Sequence, residues 1–250
     1  MTYCLAMRLS DGLVFMSDTR TNAGVDNVSS YRKLFIFHPT DDRTIVIQSA
    51  GNLATTQQVL DTIRRDLAAG DAAPSGESLA TGATLEEVAL YVGRLGVQVT
   101  ESHCAGLAAS GADGTATFLV GGQVGHQPPD ILLVYPEGNY IRASDDRPFL
   151  QIGETKYGKF LLEMATVAHL PMTTAAKVAL SSMVSTAHAN LSVGPPYDLA
   201  LYHPDRRQLE HVRIDADSPY LARLQDVWLR HLGAALEELP MVEPGDVELA

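Results

Sequence analysis

Two hydrophobic periods alternate along this chain in an order that leaves few folds open to it. Apolar residues at strand spacing fill Thr2 to Leu9, Asp11-Gly12 reads as a tight turn, and Leu13-Val14-Phe15-Met16 returns as a second strand. Thr19 to Ser30 is polar and reads as a loop, followed by strands at 33–37 and 44–49. After Asn52, whose side chain suits a helix cap, Leu53, Val59, Leu60, Ile63 and Leu67 recur at helical spacing. Thr84 with Glu87 three residues on is a capping box, and it opens a second helix over 84–103. Strands return at 117–120, 131–135 and 140–143, the last after a turn at Glu137-Gly138-Asn139. Helices over 156–167 and 173–191, strands at 199–202 and 209–214, and a helix from Pro219 to Leu239 complete the order.

Strands, two helices, strands, two helices, strands and a helix do not make an alternating βαβ pattern. They predict an α+β fold in which two antiparallel sheets lie face to face, each covered by a helix pair, as a four-layer αββα sandwich. With no repeat and no low-complexity linker, residues 1–250 are read as one domain.

Thirty acids against eighteen Lys and Arg give a formal charge of −12, which argues against nucleic acid or an anionic membrane as a partner. The two cysteines, Cys4 and Cys104, make neither a disulfide framework nor a metal set, and both read as buried small apolar residues. The first nine residues lack a basic leader, and no apolar run approaches the roughly 18 residues that a membrane helix needs. The expectation is a cytoplasmic protein. His188, His203 and His211 have no tight ligand spacing, so no metal and no cofactor are expected. Gly121-Gly122-Gln123-Val124-Gly125 lacks a following Lys-Ser/Thr and reads as a strand-end turn rather than a phosphate cradle. No Gly-x-Ser-x-Gly elbow is present.

Thr2 follows an initiator methionine that processing removes readily before a small residue. Loss of Met1 would give Thr2 a free α-amine beside its own hydroxyl, joining nucleophile and base in one residue. A free amine has a reference pKa of roughly 7.7–8.0, suited to accept the hydroxyl proton near neutrality. The first hairpin sets residue 2 beside Ser17 and Asp18, at the far end of the second strand. If Lys33 joins them, its ammonium would lower the hydroxyl's pKa, and Asp18 would keep that ammonium charged and oriented.

These strings carry a resemblance. Thr2, the segment Leu13 to Thr21, Arg32-Lys33-Leu34-Phe35-Ile36 and Ser49-Ala50-Gly51 resemble the proteasome β-subunit family of N-terminal nucleophile hydrolases. The opening Met-Thr-Tyr-Cys-Leu-Ala-Met, the stretch Ser17 to Asp26 and Ser49 to Ala54 are similar to its bacterial Anbu subgroup. The resemblance implies the αββα fold of that family and a threonine-type amidohydrolase, a peptidase acting through an acyl-enzyme on Thr2 after removal of Met1. It implies Asp18 as the orienting acid, Lys33 as the group that lowers the hydroxyl's pKa, and Gly51 as the oxyanion-hole backbone. Thr21 and Asn22 fall on the segment that would bind a substrate main chain. It also implies a homo-oligomer, a hexamer or dodecamer, either ring-like or open and helical; an unfoldase partner is unassigned.

The chain departs from the family twice. Its serine-bearing turn reads Ile152-Gly153-Glu154-Thr155 here, leaving Glu154 or Thr155 as stand-ins. Its supporting Asp-x-x-Ser-Gly reads Asn190-Leu191-Ser192-Val193-Gly194. Two alternatives follow: an assembly-forming scaffold or binding module with vestigial catalysis, or amide or isopeptide chemistry on a special substrate.

Overall fold

Ser10 and Asp11 form the turn between β1 (Tyr3–Leu9) and β2 (Gly12–Asp18), so Gly12 opens the second strand instead of completing the turn. A computed structural model describes residues 2–22 and 28–241, and the chain divides into two units, 1–214 and 215–250.

The first unit holds two five-stranded antiparallel sheets. One has β10 (Phe149–Gly153), β1, β2, β11 (Tyr197–His203) and β12 (Gln208–Ile214) in that order. The other runs β5 (Leu34–Thr40), β6 (Arg43–Gly51), β7 (Ala116–Val124), β8 (Asp130–Val134) and β9 (Tyr140–Arg142). A small hairpin of β3 (Arg20–Asn22) and β4 (Val28–Ser30) stands apart.

Alternation along the strands divides the core. Val46 and Leu119 face inward with Cys4, Ala6, Leu13, Phe15 and Ala200 between the sheets. Ile45, Ile47, Phe118 and Val120 point the other way, onto Val59, Ile63, Val88 and Val92 of α1 (Leu53–Ala69) and α2 (Leu85–Ser110). The helix α4 (Met172–Ala189) packs on β1 and β2, and α3 (Lys156–Ala165) packs against α4. Covered on both faces, Tyr3-Cys4-Leu5-Ala6-Met7 is wholly buried, which explains why this antiparallel strand is written as an unbroken apolar run.

The caps agree with the residue chemistry. Asn52 Oδ1 accepts from Thr55 N at 3.1 Å, and Thr84 Oγ1 accepts from Glu87 N at 3.3 Å. Four expectations need correction. Within the stretch 19–30 read as loop, 20–22 and 28–30 pair as β3 and β4. Residues 149–153 form β10, because five short residues with one polar member give little period to read. Gly121 and Gly122 lie inside β7 rather than at a turn, and pair with Ile131 and Asp130 of β8. Finally, α2 continues to Ser110, which leaves Cys104 exposed on its last turns while Cys4 is buried.

The second unit is described here by α5 (Pro219–Glu238), with proline at its first turn, where a missing N–H costs nothing. No helix among the described residues is long and apolar enough to cross a membrane.

Candidate active site

Asp18, the last residue of β2, has no solvent exposure, and three donors converge on it. Lys33 Nζ lies 2.8 Å from Oδ1, Tyr3 N donates to the same oxygen at 3.0 Å, and Gly194 N donates to Oδ2 at 3.3 Å. Burial pushes the Asp18 carboxyl above its ordinary value, and the Lys33 ammonium, then the two backbone amides, oppose that rise. Lys33 precedes β5 and is itself buried, its ammonium donating a second bond to Arg20 O at 2.6 Å. The ammonium is thus fixed from two sides, and only its remaining donor capacity is free to act elsewhere.

Lys33 and the half-buried Thr2 line one cleft of about 580 Å³ together with Thr21, Arg32, Ser49, Gly51, Asn52, Asp113 and Gly153. Gly51 closes β6 with φ 109° and lines the same cleft as Thr2. Thr21 belongs to β3 and lines the cleft; the side chain of Asn22 lies outside the described residues. Thr2, Lys33, Gly51 and Thr21 thus line one cleft, and Asp18 lies beneath it on the Lys33 ammonium. A larger cleft of about 760 Å³ lies by α1 and α2, where Tyr91 Oη already donates to Asp66 at 2.6 Å; none of the residues singled out in the sequence lines it.

Edge strand β10 supplies what the sequence reading lacked. It pairs with β1 so that Gly153 stands opposite Tyr3, and Glu154 N donates to Thr2 O at 2.7 Å. Gly153 has φ 83°, and a Cβ there would overlap the carbonyl oxygen of Thr2. Gly153→Ala is expected to push β10 off Thr2 and lower stability by roughly 1–3 kcal/mol. Chemical denaturation checks it; an unchanged midpoint would contradict this contact.

Glu154 and Thr155 take different places. Glu154 is buried as a residue, and its carboxylate accepts from Asn190 Nδ2 at 3.0 Å. Thr155 precedes α3 and makes no side-chain cap bond. The two departures at 154 and 190 are thus each other's partners. The loop 190–194 is held from the other side by Arg20, which donates to Leu191 O at 2.9 Å and Val193 O at 3.4 Å, its guanidinium lying flat where a side chain at Gly194 would stand.

Beneath Thr2, Tyr3 Oη pairs with Ser182 Oγ at 2.8 Å and accepts from Gln151 Nε2 at 2.5 Å. Burial raises the Tyr3 phenol to about 12, so it stays a neutral hydroxyl at all working pH values. This relay ties α4 to β1 and was not legible, because its members lie 148 and 179 residues from Tyr3. Among the described residues no three His, Cys, Asp or Glu side chains form a group that could hold a metal ion.

Among the described residues, two five-stranded antiparallel sheets and five α-helices, with a cleft lined by Thr2 and by a Lys33 that is paired to the buried Asp18, define an α+β protein. Scans against protein-family models and against curated proteins return no match. Solved structures do match. Anbu (ancestral β-subunit) from Yersinia bercovieri is 39% identical, with 97% of this chain and 99% of that one covered and a TM-score of 0.88. The helical assembly of the Anbu complex from Pseudomonas aeruginosa gives 39%, 98%, 99% and 0.89 in the same order. Anbu from Hyphomicrobium sp. strain MC1 gives 39%, 97%, 100% and 0.87. The chain belongs to the Anbu family, the ancestral β-subunit of the proteasome-like proteins.

Proposed function

We propose that this protein is a cytoplasmic threonine-type N-terminal nucleophile amidohydrolase, acting as a peptidase once Met1 is removed. The observation that carries the reading is the placement of Thr2 and Lys33 in one cleft, with Lys33 locked to a buried Asp18 at 2.8 Å. The helix pair, sheet, sheet, helix pair order of residues 2–214 supports the αββα sandwich of that hydrolase class, and residues 1–250 are proposed as one functional domain.

In this reading the freed α-amine takes the Thr2 hydroxyl proton as Oγ attacks the carbonyl carbon of the scissile amide. The Lys33 ammonium stabilises negative charge growing on Oγ, and the Gly51 backbone faces the tetrahedral oxyanion. Collapse breaks the C–N bond, the α-ammonium returns the proton to the leaving amine, and an ester on Thr2 remains. Water, deprotonated by the same amine, attacks that ester and regenerates Thr2. Thr21 and Asn22 would pair with the substrate main chain as an added strand. Homo-oligomerisation, ring-like or open and helical, is part of the proposal, supported by the helical assembly of the Pseudomonas relative.

A β-lactone tests the chemistry. Attack by Thr2 Oγ opens the lactone and adds its full mass as an ester, which peptide mapping is expected to place on Thr2 of mature, assembled protein. Absence of any adduct would overturn the hydrolase reading in favour of a scaffold. The scaffold reading has one observation of its own: Phe160 and Met164 on α3 are 66% and 71% exposed, an apolar face suited to another copy.

A further inference from the structure

Arg32 lines the same cleft as Thr2 with a positive charge that no described residue neutralises. Among the described residues its guanidinium makes neither a hydrogen bond nor an ion pair, although the chain carries 30 acids against 18 Lys and Arg. Every other arginine between residues 1 and 214 has a partner. On an open surface a lone guanidinium is simply solvated. Here it stands on the wall of the cleft that holds the candidate nucleophile.

The backbone fixes its place there. Tyr31 N donates to Thr19 O at 2.8 Å and Ser49 N donates to Lys33 O at 3.1 Å, so the chain is tied on both sides of Arg32. Lys33, the next residue, is matched by the Asp18 carboxylate at 2.8 Å and so offers an incoming anion no uncompensated charge. The acid of the cleft lies on the other flank. Gly51 pairs with Ala116, and Asn52 N donates to Thr115 O at 2.8 Å, which sets Asp113 just before β7, whereas Arg32 lies just before β5. Strand β6, which ends in Gly51, runs between those two strands. Asp113 Oδ1 already accepts from Thr115 N at 2.8 Å, and that amide holds its carboxyl below the ordinary value. The cleft is therefore polarised, with an unshared cation on the β5 flank and an anion engaged in its own turn on the β7 flank.

We propose that Arg32 is a specificity-determining residue, whose guanidinium receives the carboxylate of a Glu or Asp side chain on the substrate residue whose carbonyl Thr2 attacks. This rests on the hydrolase reading of the cleft and names its substrate class, acidic peptides. A guanidinium presents parallel N–H donors that match both oxygens of a carboxylate. An amide side chain of the same shape keeps one acceptor and loses the charge. A basic side chain meets repulsion at Arg32, so selection works by rejection as well as by attraction.

Three peptidyl epoxyketones that differ only in a Glu, Gln or Lys side chain at that residue test the assignment on mature, assembled protein. In wild type the Glu reagent is expected to modify Thr2 about tenfold faster than the Gln reagent, the advantage of a charge-assisted bidentate contact, with the Lys reagent slowest. In Arg32→Met, which keeps the apolar stem and removes the guanidinium, the Glu and Gln rates should come within about twofold of each other. Equal Glu and Gln rates in wild type, a fastest Lys reagent, or a Glu preference that survives Arg32→Met would each overturn the proposal. Should Arg32→Met fail to fold, Arg32→Lys replaces it: a reduced Glu to Gln ratio supports the role of the planar fork, and an unchanged ratio overturns it. If Thr2 takes no reagent at all, the hydrolase reading falls, and fluorescence anisotropy of labelled Glu and Gln peptides decides this one separately. Tighter binding of the Glu peptide that is lost in the variant would leave it standing, and equal binding would end it.

Discussion

Lys33→Ala is expected to destabilise the protein by about 3–5 kcal/mol, because it removes one partner of a buried ion pair and strands the other. Asp18 has no exposure, and without the ammonium its carboxyl keeps only the amides of Tyr3 and Gly194. Burial already drives that carboxyl upward, so the variant would answer by protonating Asp18 and loosening the start of β1 from the loop at Gly194. For a chain of this size the loss corresponds to a fall in Tm of roughly 6–20 °C. Calorimetry reads it, and the pair Asp18→Asn with Lys33→Met, which removes both charges at similar volume, should recover much of the loss. A single variant within about 1 kcal/mol of wild type would mean that the pair is solvated rather than buried.

The second large effect is chemical. An uncleavable extension before Thr2 turns its amine into an amide nitrogen, which cannot accept a proton at working pH. Folding is expected to be unaffected, since Tyr3 onward supplies the ladder, the Asp18 contact and the Ser182 relay. Reaction of Thr2 with a β-lactone should slow by roughly 10²–10⁴-fold, the usual contribution of a positioned general base. Second-order rate constants for extended and mature protein give the ratio directly. Equal rates would assign the proton to another base, with Lys33 a candidate in the same cleft.

How much was legible depended on how local each signal is. The turn before β2, the Asn52 and Thr84 caps and the helical stripes of α1 and α2 lie within a few residues, and they were read correctly in kind. The nearness of Thr2 to Asp18 was readable because one hairpin joins the strands that carry them, whereas Lys33 and Gly51 entered through a family resemblance. Edge strand β10 was missed, as five residues covered by β1 on one side need no strict alternation. The Tyr3–Ser182 contact, the Arg20 clamp on 191–193 and the Glu154–Asn190 bond span 179, about 170 and 36 residues, distances over which no sequence period speaks. Glu154 and Asn190 were visible as two separate departures from a family pattern. Only the fold shows that they touch.

The central claim is that Thr2 carries both nucleophile and base, and an epoxyketone addresses both at once. Its ketone takes Thr2 Oγ and its epoxide takes the α-nitrogen, closing a ring that no other side chain forms. Fragmentation of mature protein after such treatment is expected to show one reagent bridging Oγ and N of Thr2. An adduct elsewhere, or a Thr2 that stays unmodified in protein whose mass proves that Met1 is gone, would contradict the account.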